Sequence, residues 1–247
     1  MAPVTDIVTQ VWLSEYLTLA AVSPRLCRRQ PDWPASLHVC GFLDMPHLAI
    51  DGQTPAALAA FLEAGEAPVY MTFGSWMPKD IDGQTRALHL LTEAARRAGC
   101  RAIIQSHAAQ ACGFSSNQDI LYVATAPHQA IFPHCRAVVH HGGAGTTQSA
   151  TLAGKPSVIV ANISEQEHWA GELRHLGIAG TFARRRSVTS AGLARRIRQV
   201  LASPHMTARA EAIAADMRGE NGVAEAVEAI MRRFGGGNMP AVGDAAV

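Results

Sequence analysis

Short apolar runs alternate with helical segments along most of the chain, and this alternation constrains the fold more than any other feature. The runs Ala137–Val139 and Val158–Val160 are almost wholly apolar and β-branched, which is typical of strands buried on both faces. Strands that are separated by helices with short connections form βαβ units. The sequence therefore predicts an α/β fold, in which a parallel sheet has helices on both faces.

The predicted elements follow one another closely from Leu37 onward. Strands are predicted at Leu37–Leu43, Val69–Phe73, Ala102–Gln105, Ile120–Val123, Ala137–His140 and Ser157–Ala161. Helices are predicted at Thr54–Ala64, Asp82–Ala98, Pro127–Phe132, Thr146–Ala153, Glu165–Leu176, Ser190–Ala202, Pro204–Met217 and Val223–Phe234. In such sheets, ligands bind beyond the carboxyl ends of the strands.

The two ends of the chain differ from this regular middle. Residues 1–35 are interrupted by Pro24, Pro31 and Pro34, which is typical of a linker or of the end of another domain. Residues 235–247 are rich in glycine, and we expect them to form a disordered tail. One domain is thus predicted over residues 36–234.

Composition and charge exclude several classes of protein. With 48% hydrophobic residues, 17% charged residues and a formal net charge of +1, the chain is predicted to be globular and to have no nucleic-acid partner. The five cysteines include no Cys-x-x-Cys pair, so we expect reduced cytoplasmic thiols and no structural zinc. No signal peptide and no transmembrane segment are expected. The short basic run Arg184–Arg186 is interpreted as a solvated loop.

The stretch His140–Thr147, HHGGAGTT, places unusual chemistry at one junction between a strand and a helix. The start of a helix leaves backbone N–H groups unpaired and carries about half a positive charge. Glycines allow a phosphate to approach those donors closely, and the two threonines add hydroxyl groups. The stretch therefore predicts an anion site, and a glycine-rich βα turn without a ligand is the alternative interpretation.

Other chemistries fit these histidines less well. Adjacent residues that leave a strand point to opposite faces, so His140 and His141 cannot easily share one metal ion. We expect His140 to pack or hydrogen-bond in the core and His141 to face a ligand. The Gly-x-Ser-x-Gly elbow of serine hydrolases is missing from the sequence, and Gly154-Lys155-Pro156 lacks the spacing of a P-loop.

Four stretches, in this order, resemble the C-terminal half of family-1 nucleotide-sugar glycosyltransferases, the half that binds the donor. They are VYMTFGS at Val69–Ser75, APH at Ala126–His128, HHGGAGTT, and Gly154-Lys155-Pro156 leading to Glu165-Gln166. The resemblance is to bacterial members that act on sterols, flavonoids, antibiotics or glycolipids. It implies a Rossmann-like parallel sheet, the C-terminal domain of the two-domain GT-B fold.

The resemblance implies that one set of residues binds the donor's nucleotide. Gly74 and Ser75 would face the phosphates, and His141 would donate a hydrogen bond to the diphosphate. The backbone of Ala126 would pair with the edge of the base. The residues expected to surround the diphosphate at the helix start are Gly143, Ala144, Gly145 and Thr146.

The resemblance implies that a second, smaller set binds the donor's sugar. Glu165 and Gln166 would hold the sugar hydroxyls. The family usually has Asp at the first of these positions, and Glu165 is one methylene longer, so the resemblance leaves the preferred sugar open.

The function that the resemblance implies is the transfer of a hexose from a UDP- or dTDP-linked donor to a small hydroxylated acceptor. Residues 1–35 would be a remnant of the acceptor domain or an interdomain linker, and residues 36–234 the donor-binding domain. The catalytic residues stay unassigned, because the general base is expected in an N-terminal half that this sequence does not contain. That half could be supplied by a partner acceptor domain.

No metal ion and no cofactor are expected, since the nucleotide sugar is itself a substrate. One alternative is a non-catalytic nucleotide-sugar-binding fragment or partner subunit. Another is a relative of the sugar-nucleotide epimerases, which would need acidic catalytic residues that the sequence does not identify.

Overall fold

The structure is a computed structural model that describes residues 5–44, 56–125 and 127–235. The chain divides into two compact units, one made of Met1–Met45 with Met217–Val247 and the other made of Pro46–Asp216. The single predicted domain over residues 36–234 stays a prediction. Thr54 and Pro55 of the first predicted helix, and residues 236–247 of the predicted tail, lie outside the described residues.

The helices and strands largely follow the predicted alternation. In chain order they are β1 (Thr18–Ala20), β2 (Leu37–Val39), α1 (Ala56–Glu63), β3 (Val69–Met71), α2 (Ile81–Ala98), β4 (Ala102–Gln105), β5 (Ile120–Val123), α3 (His128–Ile131), β6 (Ala137–His140), α4 (Ala144–Leu152), β7 (Ser157–Ala161), α5 (Ser164–His175), β8 (Ala183–Arg184), α6 (Ser190–Leu201), α7 (Pro204–Arg218) and α8 (Gly222–Phe234). A π-helical turn at Val8–Trp12 and 3₁₀ turns at Gly74–Trp76 and Phe132–His134 complete the described elements.

The larger unit is built on a six-stranded sheet with the strand order β5-β4-β3-β6-β7-β8, in which every pairing is parallel. The chain runs outward from β3 through β4 to β5 and then returns to the other side of β3 as β6. The strand order therefore reverses between β3 and β6. In open α/β sheets, ligands bind at such a reversal, in the crevice at the carboxyl ends of the strands.

Apolar layers cover both faces of this sheet, which confirms the predicted fold class. Val69 and Met71 of β3 pack in one cluster with side chains of α2 and α6. The intervening Tyr70 packs in a second cluster with side chains of α1, α3 and α4. Because successive side chains of a strand point to opposite faces, a strand covered on both sides needs apolar residues throughout.

Several local predictions differ from the structure, and the strands predicted at Leu37–Leu43 and Val69–Phe73 end earlier, at Val39 and at Met71. The run Arg184–Arg186 is only in part the predicted solvated loop, because Arg184 and Arg186 are exposed but Arg184 ends strand β8 and Arg185 is half-buried. A strand of two residues is too short for the sequence pattern to indicate. Helix α4 begins at Ala144, two residues before the predicted start at Thr146, because Gly143 serves as its N-cap.

The smaller unit contains the short parallel pair of β1 and β2, with Thr18 opposite Leu37. The Ser23 hydroxyl donates a hydrogen bond to Glu220 Oε1 over 2.8 Å and so joins the N-terminal segment to the segment before α8. Gly41 has a φ of +97°, and a Cβ built there would lie 3.1 Å from the Gly222 Cα. Glycine therefore lets the chain after β2 pass closely by the start of α8.

His140 ends β6 and is fully buried, as predicted. Its Nδ1 accepts a hydrogen bond from the Gly142 backbone N–H over 3.2 Å. The proton of the neutral ring therefore lies on Nε2, which is 3.1 Å from Ser157 Oγ on β7 and donates to it. Burial is the main cause that lowers the pKa of His140 to about 3. The ring thus ties the loop after β6 to the neighbouring strand in its neutral form.

The buried neutral His140 predicts that acid destabilises the fold already below pH 6.5. In that range the unfolded chain binds a proton at His140 that the folded chain does not, so the free energy of unfolding decreases as the pH falls. The limiting slope is about 1.4 kcal/mol per pH unit. Urea unfolding at pH 7.5, 6.5 and 5.5 should show a shallower decrease for His140→Gln than for the unsubstituted chain. Equal slopes for the two proteins would contradict this assignment.

Candidate functional site

The candidate site lies where β3 and β6 end, and a hydrogen-bond network holds the loop after β3. The Gly74 backbone N–H donates to Thr72 Oγ1 over 2.9 Å. That hydroxyl donates to Gln105 Oε1 over 2.9 Å, and the Tyr70 hydroxyl donates to the same oxygen over 3.0 Å. The side chains of Tyr70, Thr72 and Gln105 therefore fix the entry to the 3₁₀ turn that contains the exposed Ser75.

His141 lies against this turn and is only 6% exposed. A Cβ built on Gly74, whose φ is +52°, would lie 3.0 Å from the Cε1 of His141. A Cβ built on Gly143 would collide with the Nε2 of the same ring. The imidazole is therefore packed between two glycines, one from each loop of the crevice.

His141 is a neutral ring with a free nitrogen. Burial lowers its pKa, and the charge of Glu165 opposes that shift in part. The buried Nδ1 has no hydrogen-bond partner within the part of the chain that the structure describes. A buried polar atom without a partner is costly, so this nitrogen is a place where a ligand or a water molecule is expected.

Helix α4 starts beside the His141 ring and has no side-chain cap. Gly142 has a φ of +91°, and a Cβ on it would lie 2.9 Å from Ile159 Cγ2, so only glycine fits this turn. Beyond Gly143, the first backbone N–H groups of the helix, those of Ala144 and Gly145, have no intrahelical acceptor. The imidazole and these donors therefore lie together at the carboxyl edge of the sheet, as the sequence predicts for an anion site.

The remaining predicted residues are divided between the surface and the interior. Thr146 is half-buried, while Gly145 is exposed. The neighbouring Thr147 is fully buried, and its hydroxyl oxygen has no hydrogen-bond partner among the described residues. Ala126, which the resemblance assigns to the nucleotide base, lies outside the described residues.

The two predicted sugar-binding residues at the start of α5 have different environments. Glu165 is exposed, and its Oε1 accepts a hydrogen bond from the indole Nε1 of Trp169 over 2.9 Å. Gln166 is fully buried, and its Oε1 accepts from the Asn162 backbone N–H over 2.7 Å. Its Nε2 has no partner in the described part of the chain. The carboxylate thus faces the surface while the amide lies beneath the loop after β7.

Sequence reasoning did not identify Trp169 as part of the site. It lies four residues after Glu165 on α5, and residues at this spacing are neighbours on a helix surface. That spacing is the signal from which the hydrogen bond between the two side chains could have been predicted.

The described residues contain no group of three or more His, Cys, Asp or Glu side chains that could hold a metal ion. The site presents a set of N–H donors. A neutral imidazole and an uncapped helix start both offer hydrogen bonds to a negatively charged group.

Comparison with known proteins shows the family of the chain. Residues 91–232 match the family model described as the erythromycin biosynthesis protein CIII-like C-terminal domain. The chain belongs to this family. Membership confirms the resemblance that the motifs indicate.

Two curated relatives of this chain are named as glycosyltransferases. The chain is 32% identical over 213 residues to the sterol 3-beta-glucosyltransferase UGT80A2 of Arabidopsis thaliana, a match that covers 86% of this chain and 33% of the relative. It is 33% identical over 207 residues to the O-mycaminosyltylonolide 6-deoxyallosyltransferase of Streptomyces fradiae, covering 83% of this chain and 46% of the relative. The chain thus spans between a third and a half of the length of these relatives.

Solved structures show the same fold. The calicheamicin glycosyltransferase CalG4 is 18% identical with a TM-score of 0.67, over 94% of this chain and 57% of that one. The glycosyltransferase VinC, solved in complex with dTDP, is 25% identical with a TM-score of 0.63, over 87% of this chain and 52% of that one.

Among the helices that the structure describes, none has the length and hydrophobicity needed to cross a membrane.

The packing of His141 predicts opposite effects for two glycine substitutions, one at the N-cap of α4 and one in the first turn of that helix. Gly143→Ala introduces a methyl group that collides with the imidazole, although the φ of −66° suits alanine. Displacing the packed ring should lower the free energy of unfolding by about 1–3 kcal/mol. Gly145→Ala is the matched control, because a Cβ built on this helical glycine would have nothing within 4 Å.

The control substitution should leave the free energy of unfolding unchanged or raise it by about 0.5–1 kcal/mol, since alanine favours helix. Urea unfolding followed by circular dichroism measures both effects. Equal stability of the two variants would show that His141 does not pack against Gly143 in this way.

Proposed function

We propose that this chain is the donor-binding half of a glycosyltransferase that transfers a hexose from a UDP- or dTDP-linked sugar to a small hydroxylated acceptor. The observation that carries the proposal is the buried imidazole of His141 beside the uncapped start of α4, at the point where the strand order reverses. The relatives named above are transferases, so the alternative of a non-catalytic fragment is not favoured.

The proposed site acts on the leaving group. As the bond between the sugar and the nucleotide breaks, the nucleoside diphosphate gains negative charge. Donors that are already oriented stabilise that charge more in the transition state than in the ground state. In this proposal His141, Ser75 and the N–H groups from Ala144 to Thr146 contact the diphosphate. The loop glycines Gly74 and Gly143 have no side chain that would block the diphosphate. Gly145 likewise has none in the first turn of the helix.

The proposed sugar contacts come from the start of α5. Glu165 would accept hydrogen bonds from sugar hydroxyls, and Gln166 would donate one to the sugar from its Nε2 while its Oε1 accepts from the Asn162 backbone N–H. The unpartnered Nε2 of Gln166 supports this role, because a buried amide hydrogen is expected to find an acceptor. The base would lie near Ala126, as the resemblance implies.

The attack on the sugar needs a group that this proposal places in the acceptor domain. The acceptor hydroxyl must lose its proton as it attacks the anomeric carbon, and a general base contributes about 10²–10⁴-fold to such a step. Inversion at that carbon is what the resemblance implies. The acceptor and a partner acceptor domain therefore complete the proposed reaction.

The proposed reaction uses no metal ion and takes place in the cytoplasm. The N–H donors at the helix start, described above, support metal-independent binding. None of the five cysteines, all of which lie within the described ranges, is part of a disulfide, and this supports a reducing compartment.

The role of His141 predicts weaker nucleotide binding when its ring is removed. Isothermal titration of the chain with UDP and with dTDP at pH 7.5 should show that His141→Ala lowers the affinity. The loss of a hydrogen bond to a charged phosphate costs about 1.5–3 kcal/mol, which corresponds to roughly ten- to a hundredfold.

His175→Ala is the control, because this histidine of α5 has an 81% exposed side chain. It should bind both nucleotides like the unsubstituted chain. An unchanged dissociation constant for His141→Ala would return His141 to a structural role. If neither nucleotide binds the unsubstituted chain at millimolar concentration, the proposed function itself is wrong.

The hydrogen bond from Trp169 predicts a loss that is specific to the sugar. Trp169→Phe keeps an aromatic ring but removes the N–H group that orients the Glu165 carboxylate. Titration should show a roughly three- to tenfold weaker affinity for UDP-glucose or dTDP-glucose, and an unchanged affinity for UDP and dTDP. Trp33→Phe, in the smaller unit, serves as the control. Equal losses for the free diphosphate and for the nucleotide sugar would argue against a sugar contact.

A further inference from the structure

Three consecutive arginines at the end of β8 have three different environments. The guanidinium of Arg184 makes two hydrogen bonds to the Glu167 carboxylate, over 2.7 and 3.0 Å. Arg186 is exposed. Arg185 is half-buried, and its Cζ lies 4.3 Å from the centre of the Phe73 ring. Of the three arginines, Arg185 is therefore the one whose guanidinium is held in place by an aromatic ring, that of Phe73.

The backbone of Arg185 places it at the carboxyl edge of the sheet. Its N–H donates to the Ala161 carbonyl over 2.8 Å, which continues the pairing of β8 with β7 by one residue. Side chains of a strand alternate between faces, so Arg185 shares a face with Ala183. Ala183 packs in the cluster that contains Phe73 and Val139, on the side of the sheet covered by α2 and α6.

The same alternation brings Phe73 and His141 to this face. Met71 of β3 lies opposite Val139 of β6, and Phe73 and His141 follow them by two residues each. In the sheet, β6 and β7 lie between β3 and β8. The contact of Arg185 with Phe73 therefore crosses the carboxyl ends of β6 and β7, next to the loop that carries His141.

Arg185 has no counter-ion among the described residues. Within the described part of the larger unit, its guanidinium has the contact with the Phe73 ring and no hydrogen bond or ion pair. Burial lowers the pKa of Arg185 without removing its charge. A partly desolvated cation without a carboxylate partner is a favourable binding place for an anion.

We propose that the Arg185 guanidinium binds a phosphate oxygen of the nucleoside diphosphate, as a third contact beside His141 and the start of α4. The inference rests on the proposed function, which places a diphosphate at this edge. His141 is neutral and the helix start contributes about half a charge, so a full positive charge adds what the two other contacts lack. The Phe73 ring holds the face of the guanidinium and leaves its N–H groups free to donate.

The test compares Arg185→Gln with Arg186→Gln, which removes the same charge from the adjacent exposed residue. Isothermal titration of the full chain uses UDP and dTDP, and the nucleosides uridine and thymidine as probes without phosphate. Arg185→Gln should weaken the binding of the diphosphates about ten- to thirtyfold and leave that of the nucleosides unchanged. Arg186→Gln should change the affinity for either diphosphate less than twofold.

A second variant, Arg185→Met, keeps an unbranched side chain on the Phe73 ring and removes the charge. If Arg185→Gln does not fold, Arg185→Met is tested in its place. It should show the same loss of affinity for the diphosphates. Diphosphate affinity equal to that of Arg186→Gln, or an equal loss for nucleosides and diphosphates, would overturn the role of Arg185. Absence of diphosphate binding by the unsubstituted chain would instead overturn the proposed function.

Discussion

The packing of the His141 ring between Gly74 and Gly143 is the contact on which the candidate site depends. It joins the loop after β3 to the loop after β6, the two strands between which the strand order reverses. A side chain larger than hydrogen at either glycine would separate the loops or displace the ring. The adjacent His140 holds the same turn from the opposite face through its bond to Ser157. Successive side chains of a strand point to opposite faces, so the two neighbouring histidines have different roles.

The charge of the site is built mainly from groups that are neutral or only partly charged. The lowered pKa of His141 keeps it uncharged, so that it donates a hydrogen bond without adding a full charge. The start of α4 adds oriented N–H groups. Such donors need no reorganisation when negative charge develops on a leaving group. Arg185 is proposed to add a full positive charge, and its place over Phe73 keeps that charge close to the crevice.

The sequence predicts those parts of the fold that depend on local pattern. β6 and β7 could be predicted because both faces are buried and their residues are apolar except for His140 and Ser157. β8 could not, because two residues carry no periodicity and its pairing with β7 comes from distant parts of the chain. The candidate anion site at His141 is predicted from one glycine-rich junction. The burial of Gln166 and the contact of Arg185 with Phe73 depend on tertiary packing, and nothing in the local sequence indicates them.

The most direct test of the proposed donor site is a crystal structure of the chain with UDP or dTDP bound. We predict the diphosphate at the carboxyl ends of β3 and β6. A ring nitrogen of His141 and a backbone nitrogen at the start of α4 should each lie about 2.7–3.2 Å from phosphate oxygens. A diphosphate bound elsewhere on the chain, or one bound at this edge without contact to the imidazole, would contradict the proposal.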